Sequence, residues 1–227
     1  SSRPRLHMTS RKAINGPHQG KPVLTACSPL TDAHATLVMI HGRGSTANNI
    51  LELARVISNP HLACIAPQAD NNVWYPHSFL APLVKNEPAL SSAFQALEDA
   101  IAMSTLAGIS QQKVILGGFS QGACIVSEFV ARQGKRFGGL LVFSGGLIGP
   151  PGTPRAYPDG LDGLPVLIGC SNVDPHVPIN RVNETSHILT QLGASVDKQV
   201  YPSMGHTIND DELDRARKIV DAVTEDA

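Results

Sequence analysis

The sequence predicts an α/β fold with a mostly parallel sheet covered by helices on both faces. Three observations predict it. Short β-type apolar runs alternate with helical patterns along the chain, as parallel strands joined by crossover helices require. Apolar residues make up 42% and charged residues 16% of the 227, enough apolar surface to fill one sizeable core and exclude disorder. The two irregular stretches, 68–88 and 148–165, are rich in turn residues or isolated aromatics and read as loops over the strand ends, and no internal repeat or domain boundary interrupts the series.

The strand runs are Val23–Cys27, Thr36–Ile40, Leu62–Ala66, Val114–Leu116, Leu140–Phe143, Val166–Ile168 and Val196–Tyr201. The helical stripes between them are Ile50/Leu53/Ala54/Ile57, Phe94/Leu97/Ile101, Ala123/Val126/Val130, Thr185/Ile188/Leu189/Leu192 and Leu213/Ala216/Val220/Val223, each at helical spacing. Asn209 with Glu212 three residues on forms a capping-box pattern for the last of them. Residues 1–21 carry five basic and no acidic side chains and several Gly and Pro. They lack an apolar h-region, so they do not read as a secretory signal. A flexible basic segment over 1–21 and a single domain over 22–227 are expected.

The formal net charge of −1 gives no electrostatic reason to expect nucleic acid as a partner, and no apolar run of about 18 residues exists to span a membrane. The four cysteines include no C-x-x-C pair and read as reduced, mostly buried thiols. The histidines show no H-E-x-x-H spacing, so no metal site is expected.

In parallel sheets the chemistry gathers at the carboxyl ends of the strands. Gly118-Phe119-Ser120-Gln121-Gly122 is a G-x-S-x-G motif between a strand run and a helical stripe. The pattern alone is weak. Its strand–turn–helix setting is what a nucleophile elbow needs, because only glycines two places either side of the serine escape collision in so sharp a turn. A hydroxyl needs a positioned base. In the chain order Ser, acid, His of this elbow class, His206 is the candidate base, since His187 lies in a helical stripe and His176 adjoins the best acid. That acid is Asp174, just after Val166–Ile168, with Asp159 and Asp162 as second choices. An oxyanion hole is expected from the backbone N–H groups of Arg43, after the strand Thr36–Ile40, and Gln121. Trp74 and Phe79 are candidates for an acyl or aryl pocket, with loop packing as the competing role. His176 is a candidate substrate contact, with a surface turn as the competing role. His41 reads as a structural residue of the oxyanion loop. The Arg43 side chain reads either as an anion contact or as a solvated group.

The pieces His41-Gly42-Arg43-Gly44, Gly117–Gly122, Asp174-Pro175-His176-Val177-Pro178 and Met204-Gly205-His206 together resemble the phospholipase/carboxylesterase family of α/β-hydrolases. The resemblance runs from about residue 17 onward. It implies an α/β-hydrolase fold without a large cap and a Ser120–Asp174–His206 triad. It also implies no cofactor, a cytoplasmic location, and a small-molecule ester of short to medium acyl length as substrate. Asn72–Phe79 resembles a carboxylesterase subgroup, whereas Arg43-Gly44-Ser45 and His176 depart from the thioesterase-like members. Acyl-protein thioesterase or lysophospholipase activity is the alternative. An acyltransferase and a non-catalytic binding module on the same fold are further readings. The oligomeric state, a homodimer included, stays open.

Overall fold

The computed structural model describes residues 14–225. Seven strands form one sheet: β1 (Val23–Cys27), β2 (Ala35–Ile40), β3 (Leu62–Pro67), β4 (Val114–Phe119), β5 (Gly139–Phe143), β6 (Pro165–Ser171) and β7 (Ser195–Tyr201). Their spatial order is β1-β3-β2-β4-β5-β6-β7, and every pairing is parallel except that of β1 with β3. Five helices complete the chain: α1 (Ala47–Ile57), α2 (Ala89–Leu106), α3 (Gln121–Gln133), α4 (Ile179–Gln191) and α5 (Asp210–Glu225). This is the mostly parallel, helix-covered sheet that the alternating pattern predicts, in the capless α/β-hydrolase form that the resemblance implies. Among the described residues no helix is long and apolar enough to cross a membrane.

The inner strands β2 to β6 are almost continuously buried because both their faces are covered, whereas the edge strands β1 and β7 are exposed or half-buried and β7 carries Asp197, Lys198 and Gln199. In β2, Val38 and Ile40 join the core under α2, α3 and α4, while Leu37 and Met39 join the core under α1 and α5. Helix α1 shows how a local signal and packing cooperate. Thr46 caps it by accepting the Asn49 N–H at 3.0 Å, and its Ala47, Ile50, Leu51, Ala54 and Ile57 stripe is buried. The expected capping box of α5 is formed in both directions: Glu212 N–H donates to Asn209 Oδ1 at 2.9 Å, and Asn209 N–H donates to Glu212 Oε1 at 3.2 Å.

Two expectations need correction. Of the segment expected to be flexible, residues 1–13 lie outside the described part, but the turn 16–20 is docked. His18 is buried there, and its backbone N–H donates to Ser92 Oγ at 3.0 Å. The docking surface is provided by α2 and the 68–88 loop, which no local pattern in residues 14–21 reveals. The loop after β5 covers the strand ends only at its start, where Gly149 N–H donates to the Phe79 carbonyl at 2.7 Å. Its later part descends to the opposite end of the sheet, at the amino ends of β6 and β7. Leu161 N–H donates there to the Leu192 carbonyl at 3.2 Å, which places Asp159 and Asp162 away from the carboxyl ends of the strands.

Candidate active site

Strand β4 runs directly into Ser120, and α3 starts at the next residue. Ser120 has φ 57° and ψ −117°, a conformation that L-residues rarely adopt and that surrounding structure must enforce. Its N–H donates to the Phe143 carbonyl at 2.9 Å, and its carbonyl accepts the Cys124 N–H at 3.1 Å, so both neighbouring elements hold the turn. The flanking glycines are sterically required. A Cβ on Gly118 would lie 2.4 Å from the Gly122 carbonyl carbon, and one on Gly122 would lie 2.0 Å from the Ile40 carbonyl oxygen. The serine side chain is thereby thrown out at the carboxyl end of the sheet.

His206 reaches this serine from the loop between β7 and α5. Its Nε2 is 2.8 Å from Ser120 Oγ, and its Nδ1 is 2.6 Å from Asp174 Oδ2. The loop is anchored to the end of β6: Gly205 N–H donates to Ser171 Oγ at 2.9 Å and Ser203 N–H to Asn172 Oδ1 at 2.9 Å. The Asp174 carboxylate has no exposed side-chain surface. Its second oxygen accepts the N–H groups of His176 and Val177 at 2.8 and 3.2 Å. One oxygen of the carboxylate thus makes the turn contacts while the other faces the His206 imidazole. The His206 ring lies between Phe119, at 4.9 Å between centroids, and His176, at 4.8 Å. With the Asp174 carboxylate at Nδ1, the Nδ1–H tautomer is favoured and Nε2 is left to accept the serine proton.

The loop His41-Gly42-Arg43 passes beside the serine. A Cβ on Gly42 would lie 3.4 Å from Ser120 Cβ, so the absence of a side chain there keeps the approach open. Among the described residues the backbone N–H groups of Arg43 and Gln121 donate to no other backbone group outside regular elements. Arg43 and Gln121 line the same cleft as Ser120 and His206, together with Tyr75, Phe79, Cys124, His176 and Val177; its volume is about 400 Å³.

The structure redistributes several expected roles. Trp74 is 1% exposed and does not line the cleft. Its ring packs against the rings of His18 and His41 at 4.9 and 5.0 Å between centroids, and its Nε1–H donates to the His41 carbonyl at 2.9 Å. Its large apolar body is thus used to pack the loop. Phe79 and His176 do line the cleft. The Arg43 guanidinium is neither an isolated solvated group nor a clear anion contact. Its two Nη atoms donate to the Pro76 and His77 carbonyls at 3.1 and 2.8 Å, tying down one wall of the cleft. His41 is fully buried and accepts the Ala69 N–H at Nε2, 3.1 Å away, so Nδ1 carries the proton that is donated to the Gly42 carbonyl at 2.8 Å. Burial holds it below the ordinary histidine range, consistent with a neutral structural ring.

Sequence reasoning missed three supports of the cleft wall. The Gln121 side chain accepts the Trp74 N–H at 2.8 Å and donates to the Tyr75 carbonyl at 2.9 Å. Buried Asn86 accepts from His77 N–H at 2.8 Å and donates to the Ser78 carbonyl at 3.0 Å. Tyr75 is buried and lines the cleft together with Cys124. Burial pushes the Cys124 thiol up to about 11, so it stands protonated in the cleft wall and offers no second nucleophile. None of these carries a periodic signal; only polar residues inside a loop that also holds large aromatics hint at them. Among the described residues no group of three His, Cys, Asp or Glu side chains is placed to hold a metal ion.

A parallel sheet with a strained serine at a strand–helix elbow and a histidine within hydrogen-bond reach defines an α/β-hydrolase. Residues 23–224 match the model of the Phospholipase/Carboxylesterase family, and the chain belongs to that family of hydrolases. It is 39% identical to a phospholipase/carboxylesterase of Dyadobacter fermentans of known crystal structure, with a TM-score of 0.85 over 92% of this chain and 99% of that one. It is also similar to Lysophospholipase-like protein 1 of Mus musculus, 24% identical over 84% of this chain and 87% of that protein. Acyl-protein thioesterase 1 of Saccharomyces cerevisiae is 23% identical over 84% of this chain and 93% of that protein.

Proposed function

We propose that this chain is a serine carboxylesterase that hydrolyses short to medium acyl esters through a covalent acyl-enzyme on Ser120. The observation that carries this reading is the His206 imidazole, which bridges Ser120 Oγ at 2.8 Å and Asp174 Oδ2 at 2.6 Å. Ser120 attacks the ester carbonyl while His206 takes its proton. The C–O bond to the alcohol then breaks, and His206 returns the proton to the leaving alkoxide. Water, deprotonated by the same imidazole, hydrolyses the acyl-serine. Asp174 holds the ring tautomer and stabilises the imidazolium. The carbonyl oxygen that becomes negative is assigned to the backbone N–H groups of Arg43 and Gln121, the latter at the N-terminus of α3 where helix amides are free. The family and the names of the relatives support ester or thioester hydrolysis.

Labelling with a fluorophosphonate probe, together with turnover of a p-nitrophenyl ester series, tests this. The expected result is stoichiometric labelling at Ser120 and hydrolysis lost by a factor of about 10⁴ or more in Ser120→Ala. Unchanged turnover in Ser120→Ala would overturn the reading. Fast hydrolysis of a palmitoyl thioester with inert acetyl and butyryl esters would shift it to the thioesterase alternative.

A further inference from the structure

We propose that Cys27 and Cys64 form a redox-active thiol pair, which closes to an intramolecular disulfide on reaction with a low-molecular-weight disulfide. The site lies on the antiparallel edge of the sheet and is independent of the hydrolase reading.

Cys27 ends β1, and Cys64 lies in the adjoining β3, with Cys27 opposite Ala63 and Ala26 opposite Cys64. A cross-strand step combined with one residue of rise puts the two Cα atoms about 6 Å apart, inside the range a disulfide bridges. Strand pleating alone would point the two side chains to opposite faces. Cys27 departs from regular pleating with φ 66°, a left-handed conformation, and its side chain lines the same hollow as Cys64. Both side chains line one hollow at the sheet edge, with Ser58 and Arg55 at the end of α1 near Cys27. The adjacent Cys64 thiol, with Ser58 and the Arg55 charge close by, holds the Cys27 thiol below the ordinary thiol range. In the same contact, Cys64 is the partner that keeps its proton.

Access follows the same division. Cys27 is exposed, and Cys64, Cys124 and Cys170 are buried. A hollow of about 330 Å³ opens over Cys27 between Thr25, Pro29, Leu30 and Cys64, large enough for one arm of a small disulfide. Burial raises the Cys124 and Cys170 thiols, each to about 11, so neither competes as a thiolate.

The chemistry balances in two exchanges. The Cys27 thiolate attacks one sulfur of R–S–S–R, forming Cys27–S–S–R and releasing RS⁻, which takes up the proton lost from Cys27. Cys64 then loses its proton, attacks the Cys27 sulfur and expels the second RS⁻, which takes that proton. Two thiols are oxidised, and one small disulfide is reduced to two RSH.

Oxidised glutathione added to the native full-length chain tests the pair, read by intact mass and by peptide mapping. The expected product has lost two hydrogen atoms and carries a peptide linking Cys27 to Cys64. Cys64→Ser should stop at one glutathione adduct on Cys27. Cys27→Ser should give no product at a rate within about tenfold of wild type. A cooperative thermal melt followed by circular dichroism serves as the folding check for both variants. A bridge through Cys124 or Cys170 would overturn the proposal. So would a native chain that forms no Cys27–Cys64 link, or a folded Cys27→Ser variant oxidised as fast as wild type.

Discussion

The His18 ring accepts the Asp70 N–H at Nδ1, 3.0 Å away, and therefore donates from Nε2 to the Trp74 carbonyl, 2.7 Å away. One neutral imidazole thus pins both halves of the loop that forms the cleft wall. His18→Ala leaves a buried carbonyl and N–H without their partner and should cost about 1–3 kcal/mol at pH 7.5, measured by urea unfolding. Burial lowers the His18 pKa from its ordinary 6.5. The unfolded chain then binds the proton more readily, so this contribution is present above pH 6.5 and is lost as pH falls through 6.5 toward the lower folded value. The gap between wild type and variant should narrow at pH 5; a gap that widens there would contradict the neutral-ring assignment.

Glu212 presents the opposite sign. Its side chain is fully buried, Oε2 has no hydrogen-bond partner, and a Cβ on Gly169 would lie 2.0 Å from that oxygen. Burial pushes its carboxyl up to about 7 from 4.5. The folded chain keeps the proton that the unfolded chain gives up, so stability falls as pH rises from 4.5 through about 7. Glu212→Gln keeps the oxygen that accepts from Asn209 and cannot ionise. It should be more stable than wild type at pH 8, by up to roughly 3 kcal/mol, and nearly equal at pH 4.5. Thermal unfolding at the two pH values decides it, and a pH-independent difference would refute the protonated carboxyl.

Gly122 tolerates no side chain. Its Cβ would meet the Ile40 and His41 carbonyl oxygens at 2.0 and 2.7 Å, and both belong to backbone that cannot step aside. Gly122→Ala should lose more than about 4 kcal/mol and accumulate as insoluble protein. Circular dichroism of any soluble fraction checks this; a cooperative melt at the wild-type temperature would show that the elbow can relax.

Asp174→Asn tests the proposed mechanism with little change of shape. The Oδ1 contacts to the His176 and Val177 N–H groups can persist, while an amide facing His206 Nδ1 favours the wrong tautomer. The kcat for a p-nitrophenyl ester should fall by about 10⁴, with the melting temperature little changed. A loss under tenfold would remove Asp174 from the assigned role.

Much of this protein is legible in its sequence because the relevant physics is local. Apolar runs mark the inner strands, and burial under helices on both faces explains why these do not alternate. Gly118 and Gly122 announce the elbow because the steric conflict they relieve is between near neighbours. Asn209 and Glu212 announce the last helix for the same reason.

What only the tertiary structure decides are pairings between distant segments. Asp174 meets His206, whereas Asp159 and Asp162 descend to the other end of the sheet, and chain order alone does not separate them. Trp74 turns inward between two histidines and leaves the cleft lining to Tyr75 and Phe79. Arg43 becomes a tether because the Pro76 and His77 carbonyls come within reach. Cys27 shares a hollow with Cys64 at a strand end where its own backbone turns left-handed. Periodicity and sterics are written in adjacent residues, but a buried polar group takes whichever partner the completed fold brings to it.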